Sequence, residues 1–166
     1  MDNLTNSIDQ VVEENSLPHE WSKEVLAELK DLGVKNNKRD DLRKIPFVTI
    51  DGKDAKDFDD AVFCEANKDG FVLQVAIADV AEIVEPSSSI DKEALSRGTS
   101  IYFPKRVIPM LPEEISNNLC SLIPNEDRNV LVCKMNFTQE GEINSYDFSE
   151  SIITVSYTHL RAHETV

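Results

Sequence analysis

"FVTIDGKDAKDFDDAVFC", residues 47 to 64, places five aspartates, at positions 51, 54, 57, 59 and 60, between two runs of β-forming residues. "FVTI" and "AVFC" read as short strands, and the acidic segment is the connection between them. Downstream, "FVLQVAIA" reads as a third strand, with Phe71, Leu73, Val75 and Ile77 alternating on one face. "ANKDGF" supplies the bend before it through Asp69 and Gly70. "VLVCKMNFT", "QEGE" and "INSYDFSESII" form a second hairpin. Helices are expected over Asp91 to Arg97, ended by Gly98, and over "PEEISNNL", with proline at its first position, on either side of a "SIYF" strand.

Upstream, Ser7 is placed to cap a helix carrying Ile8, Val11 and Val12, and Ser22 a second carrying Val25, Leu26, Leu29 and Leu32, which Gly33 ends. "VKNNKRDDLRK", residues 34 to 44, is polar and reads as an exposed connection. Strands interleaved with helices imply a mixed α/β, or α+β, fold. The expected division is a helical lead and linker over 1–45, a β-rich domain from 46, and no internal repeat.

The composition bounds the function. With 166 residues and 40% hydrophobic content the chain can bury a core, and 17 basic against 31 acidic side chains give a net charge of -14. Such a charge disfavours blanket attraction to phosphate polymers, so any nucleic-acid contact must be local or metal-assisted. Cys64, Cys120 and Cys133 form no CxxC pair and are odd in number, which speaks for a reducing cytoplasm over a secreted disulfide framework. Neither a targeting segment nor an apolar run long enough for a membrane is apparent.

Two readings of the aspartates compete. A solvated acidic loop needs no function, because water screens its charges. The aspartates, however, are interleaved with Phe58, Ala61 and Val62, which draws part of the cluster towards the interior, where like charges need a cation or raised pKa values. A calcium loop counted from Asp57 fails, since its fifth position is Ala61 and its twelfth Lys68. Magnesium suits the cluster better, holding a few carboxylates, several waters and a substrate phosphate. Phosphoryl chemistry follows from that choice.

"DLRKIPFVTIDGKDAKDFDDAVFC", "VAIADVAEIV", "IDKEALSRGTSIYFPKRVIPMLPEEISNNLCSL" and "GEINSYDFSESI" together resemble the catalytic domain of the ribonuclease II family, nearest its ribonuclease R branch, over Ile8 to Ile153. The resemblance implies a partial ribonuclease II-type catalytic domain over 46–153 behind the helical lead. It implies a processive 3′→5′ exoribonuclease that depends on Mg2+ and releases nucleoside 5′-monophosphates. The family's catalytic aspartates fall on Asp51, Asp57, Asp59 and Asp60. By that resemblance Asp51, Asp57 and Asp60 hold magnesium, Asp59 is the carboxylate tied most tightly to cleavage, and Asp54 stands where the family varies. Tyr102, in "TSIYFP", matches an aromatic that stacks at the 3′ end of single-stranded RNA, and Lys105 and Arg106 are candidate phosphate contacts. Implied too are a monomeric full-length protein, a cytoplasmic location and no organic cofactor.

Other classes leave their own marks. A non-catalytic RNA-binding or regulatory module would need a basic, aromatic groove, which the acidic balance disfavours. His159 and His163 have i, i+4 spacing that a zinc site on a helix would use, but Cys120 and Cys133 lie too far apart for a knuckle, and Cys120 in "LCSL" resembles a small core residue. From Thr154, "TVSYTHLRAHETV" leaves the family pattern, so 154–166 reads as a sequencing or assembly scar on a fragment expected to be inactive alone.

Overall fold

The computed structural model describes residues 3–33, 38–104 and 106–160. Along the chain run α1 (Asn3–Glu14), α2 (Lys23–Glu28), β1 (Asp40–Asp41), β2 (Val48–Asp51), β3 (Asp60–Ala66), β4 (Gly70–Ala78), α3 (Val80–Ile83), α4 (Ser89–Arg97), β5 (Ile101–Phe103), β6 (Arg106–Ile108), β7 (Asp127–Thr138), β8 (Ile143–Thr154) and β9 (Tyr157–Leu160). They fall into two compact units, Met1–Gly33 with Val84–Glu113, and Val34–Ile83 with Glu114–Val166. The fold is a mixture of helices and strands, as the interleaved pattern implies, but the units do not divide at residue 45. The helical lead joins a later segment because its apolar side chains need a partner there.

In the first unit that partner is the β5–β6 hairpin. Ile8 and Val12, one turn apart on α1, pack with Ile108, and Leu17, Ile101 and Phe103 close the cluster. Because α1 starts at Asn3, Ser7 lies inside the helix rather than at its cap. Ser22 does cap α2, its hydroxyl accepting from the Val25 amide at 3.2 Å, and a 3-10 turn over Leu29–Asp31 ends that helix before Gly33. Ser88 caps α4, and Gly98, at a φ of 73°, ends it in the left-handed conformation that glycine adopts without steric cost. Arg97 is stacked 3.5 Å over the Trp21 ring while donating to the carbonyls of Pro109 and Glu20.

The second unit is a seven-stranded sheet in the order β1-β8-β7-β4-β3-β2-β9. Only Val155 and Ser156 separate β8 from β9, yet four strands lie between them in that order. At about 4.8 Å per strand, a flat sheet would set β8 and β9 about 24 Å apart. A link that short reaches only about 11 Å. The sheet therefore coils until its ends meet, with Val155 buried and the Ser156 amide donating to the Phe47 carbonyl at 2.8 Å.

Coiling decides which face is the core. The inner face carries short side chains, among them Thr49, Ala61, Ala76, Ala78 and Ser151, all buried beside Val130 and Val132. Phe71, Leu73, Val75 and Ile77 do share one face of β4, but it is the outer one, where Phe71, Ile77, Leu131, Tyr146 and Phe148 are exposed. Alternation alone cannot tell an inner from an outer wall.

Two further expectations change. Within the polar stretch 34–44, residues 34–37 lie outside the described residues, but Asp40 and Asp41 pair in parallel with Ser151 and Ile152, and the Arg39 side chain is only 5% exposed. Arg39 is buried because two acidic partners wait for it on the sheet unit. Of the tail set apart from Thr154, that residue still ends β8, and Tyr157–Leu160 forms the edge strand parallel to β2. Residues 115–119 wind as a π-helix, the Cys120 amide donating to the Ile115 carbonyl at 2.9 Å.

Candidate active site

β2 and β3 are antiparallel neighbours joined by residues 52–59, and the five aspartates occupy that junction. Asp51 is the last residue of β2, opposite Leu160, and Asp60 is the first of β3, opposite Ile77. Between them the chain turns at Gly52, whose carbonyl accepts from the Ala55 amide at 3.1 Å. Asp51 is half-buried, while Asp54, Asp57, Asp59 and Asp60 are exposed.

The second half of the connection is fastened to the segment around Ser121, which is wholly buried. The Ser121 hydroxyl donates to the Lys56 carbonyl at 2.7 Å and accepts from the Phe58 amide at 3.1 Å. The Leu122 amide donates to the Phe58 carbonyl at 2.9 Å, and the Ala78 amide to the Asp59 carbonyl at 2.9 Å. Asp57 and Asp59 thus project from backbone held on two sides.

Electrostatics single out one carboxyl. Asp59 has its pKa raised, first because surrounding protein displaces water from an otherwise exposed residue, then because Asp57, Asp60 and Asp51 repel its charge, in that order. Asp54 is not among the charges acting on it. Neighbouring Cys120 is pushed up to about 11, chiefly by burial and then by the charge of Asp59 and Asp79, so it remains a neutral thiol.

The donor set suits a hard divalent cation: carboxylate oxygens whose mutual repulsion positive charge would relieve. Among the described residues, however, no three His, Cys, Asp or Glu side chains are already gathered to hold a metal. That covers the aspartates as well as the zinc reading. His159 lies in a strand, opposite Ile50, rather than on a helix, and His163 is outside the described residues.

Tyr102 belongs to the other unit. It stands on β5 opposite Val107, is 71% exposed, and so is not spent on the core. Arg106 is 2.6 Å from Asp9 and therefore already paired, while Lys105 lies outside the described residues.

Sequence reasoning missed a buried network at the end of β4. Arg39 lies 2.6 Å from Asp79 and 3.1 Å from Glu82, and Asn129 donates to Glu82 at 2.6 Å. A small cavity beside it is lined by Asp79, Glu82, Cys120, Asp127, Arg128 and Asn129. The only cue was an arginine at the start of the "RDDLR" run, indistinguishable in sequence from a solvated one.

Among the described residues no helix is long and apolar enough to cross a membrane. The family model of the RNB domain matches residues 39–159. Ribonuclease R of Acidithiobacillus ferrooxidans is 51% identical over 152 residues, covering 88% of this chain and 34% of that protein. Ribonuclease R of Vibrio parahaemolyticus is 50% identical over 145 residues, covering 84% of this chain and 17% of that protein. Among solved structures, Mycoplasma genitalium RNase R in complex with ribose methylated single-stranded RNA superposes with a TM-score of 0.90 at 36% identity, covering 96% of this chain and 26% of that one. The chain thus spans between about a sixth and a third of the length of these curated relatives. With the match extending over most of its residues, the chain belongs to the RNB domain family.

Proposed function

We propose that this chain carries the aspartate centre of a 3′→5′ exoribonuclease, a hydrolase that cleaves RNA phosphodiester bonds and releases nucleoside 5′-monophosphates. The observation that carries the reading is the placement of Asp51, Asp57, Asp59 and Asp60 at one β2–β3 junction, where burial and then the charges of Asp57, Asp60 and Asp51 raise the pKa of the Asp59 carboxyl. A loop meant only to stay wet would spread its charges apart. In this reading Asp51, Asp57 and Asp60 would hold magnesium, which would supply charge neutralisation at the phosphate. Asp59 orients the attacking water. Tyr102 stacks on a base near the 3′ end of single-stranded RNA, a contact that tolerates any base. Ribonuclease R of Mycoplasma genitalium is solved with single-stranded RNA, which supports that substrate class.

Three free cysteines suit a reducing cytoplasm, and the family resemblance is the support for reading the full-length protein as a monomer without an organic cofactor. The test is Asp59→Asn in a full-length ribonuclease R-type protein carrying this sequence, with affinity read by filter binding and cleavage by single turnover in magnesium. RNA binding should survive while cleavage falls about 100-fold or more. Near-normal cleavage, or binding lost in proportion to activity, would sink the reading.

A further inference from the structure

We propose that Ser121 is the positioning residue of the aspartate loop, its buried hydroxyl fixing the backbone on both sides of Asp57 and so setting the spacing from Asp57 to Asp59. The inference rests on the active-site reading above. Residues 52–59 belong to no strand ladder, so their backbone groups must be paired elsewhere or left to water. A hydroxyl has one proton to give and two lone pairs to accept with. Ser121 uses both capacities here, donating to the Lys56 carbonyl at 2.7 Å and accepting from the Phe58 amide at 3.1 Å. The adjacent Leu122 amide closes a third bond to the Phe58 carbonyl at 2.9 Å.

Ser121 is itself held from behind. Arg128 donates through Nε to the Ser121 carbonyl at 2.8 Å and through a terminal nitrogen to the Asn118 carbonyl at 3.2 Å. The clamp therefore runs from β7 through Arg128 and Ser121 to the loop. Its purpose follows from charge: four mutually repelling carboxylates on free backbone would drift apart, and a site must be held within fractions of an ångström to work. Ser121 touches no reacting atom on this geometry. It acts through Asp57 and Asp59.

The experiment is amide hydrogen exchange on the 166-residue chain, comparing it with Ser121→Ala and Ser121→Thr, alongside magnesium titration by calorimetry. Ser121→Ala should speed exchange at Phe58 and its loop neighbours about 10-fold while leaving the β4–β7 ladder unchanged. It should also weaken magnesium binding about 10-fold, as loss of an outer support does at metal sites. Ser121→Thr, which keeps the hydroxyl, should recover most of the loop protection. If the alanine variant does not fold, Ser121→Cys, which keeps the volume and weakens both bonds, is read in the same way. Unchanged loop exchange, or equal acceleration throughout the sheet, overturns the proposal. Absence of magnesium binding in the unsubstituted chain would sink the active-site reading instead, and loop exchange alone then decides the clamp.

Discussion

Arg39 and Asp79 meet at 2.6 Å with their side chains only 5% and 9% exposed, and the same guanidinium serves Glu82 at 3.1 Å. One cation is thus shared between two buried carboxylates. Arg39 Nε and Glu82 Oε1 have no hydrogen-bond partner, so the network has little slack. Arg39→Ala should destabilise the sheet unit by about 3–5 kcal/mol, because it leaves buried negative charge uncompensated. Urea denaturation checks this. A loss under about 1 kcal/mol would mean that water replaces the arginine.

Asp59→Asn should stabilise the folded chain at neutral pH, in contrast to its expected effect on catalysis. A carboxyl whose folded pKa is raised binds more protons in the folded state, so ionising it opposes folding. The penalty is fully present above the folded pKa, shrinks as pH falls through that value, and vanishes below the unfolded value of about 3.9. Melting curves from pH 7 to pH 3 should therefore show Asp59→Asn more stable at the upper end and equal to the parent at the lower. A stability difference independent of pH would contradict the charge argument.

Tyr102→Ala should leave the first unit folded, since the ring is 71% exposed and its β5–β6 pairing is made by backbone. In a full-length protein it should cost about 1–3 kcal/mol of RNA affinity, the worth of one base stack. Turnover on long RNA should fall less than for Asp59→Asn. Equal losses would remove the reason to assign Tyr102 to binding.

Gly70→Ala should be among the more damaging single changes in the sheet. Gly70 has a φ of 150°, and a Cβ there would overlap the Phe137 carbonyl oxygen where β4 meets β7. Relief requires the two strands to separate locally, at a cost of about 1–3 kcal/mol or more. A circular-dichroism melt should show the drop, whereas Gly141→Ala, with open space around the position, should suffer only its backbone strain.

The strands were legible because they are local: β3, β4, β7 and β8 announce themselves by β-branched and aromatic runs, and Ser22 and Gly98 mark helix ends by their own chemistry. The coil of the sheet was not, since it follows from a two-residue link between Val155 and Ser156 and a pairing with Phe47 over a hundred positions away in the chain. That coil makes the face of the Phe71 to Ile77 alternation the outer one. Arg39 was unreadable for a related reason: its partners Asp79 and Glu82 come from beyond β4, and sequence shows only its charged neighbours. The aspartate junction was visible as a motif, whereas Ser121, buried in "LCSL", offered no charge or aromatic ring to draw the eye.

The parallel seam between β2 and β9 also has a mechanical meaning. Its rungs run from Val48 opposite Tyr157 to Asp51 opposite Leu160. Tension that draws Leu160 along the strand axis away from the anchored start of β2 loads those rungs together in shear, instead of opening them one after another like a zipper. The carboxylate that ends β2 sits on the outermost of those rungs, so Asp51 shares directly in any load placed on β9.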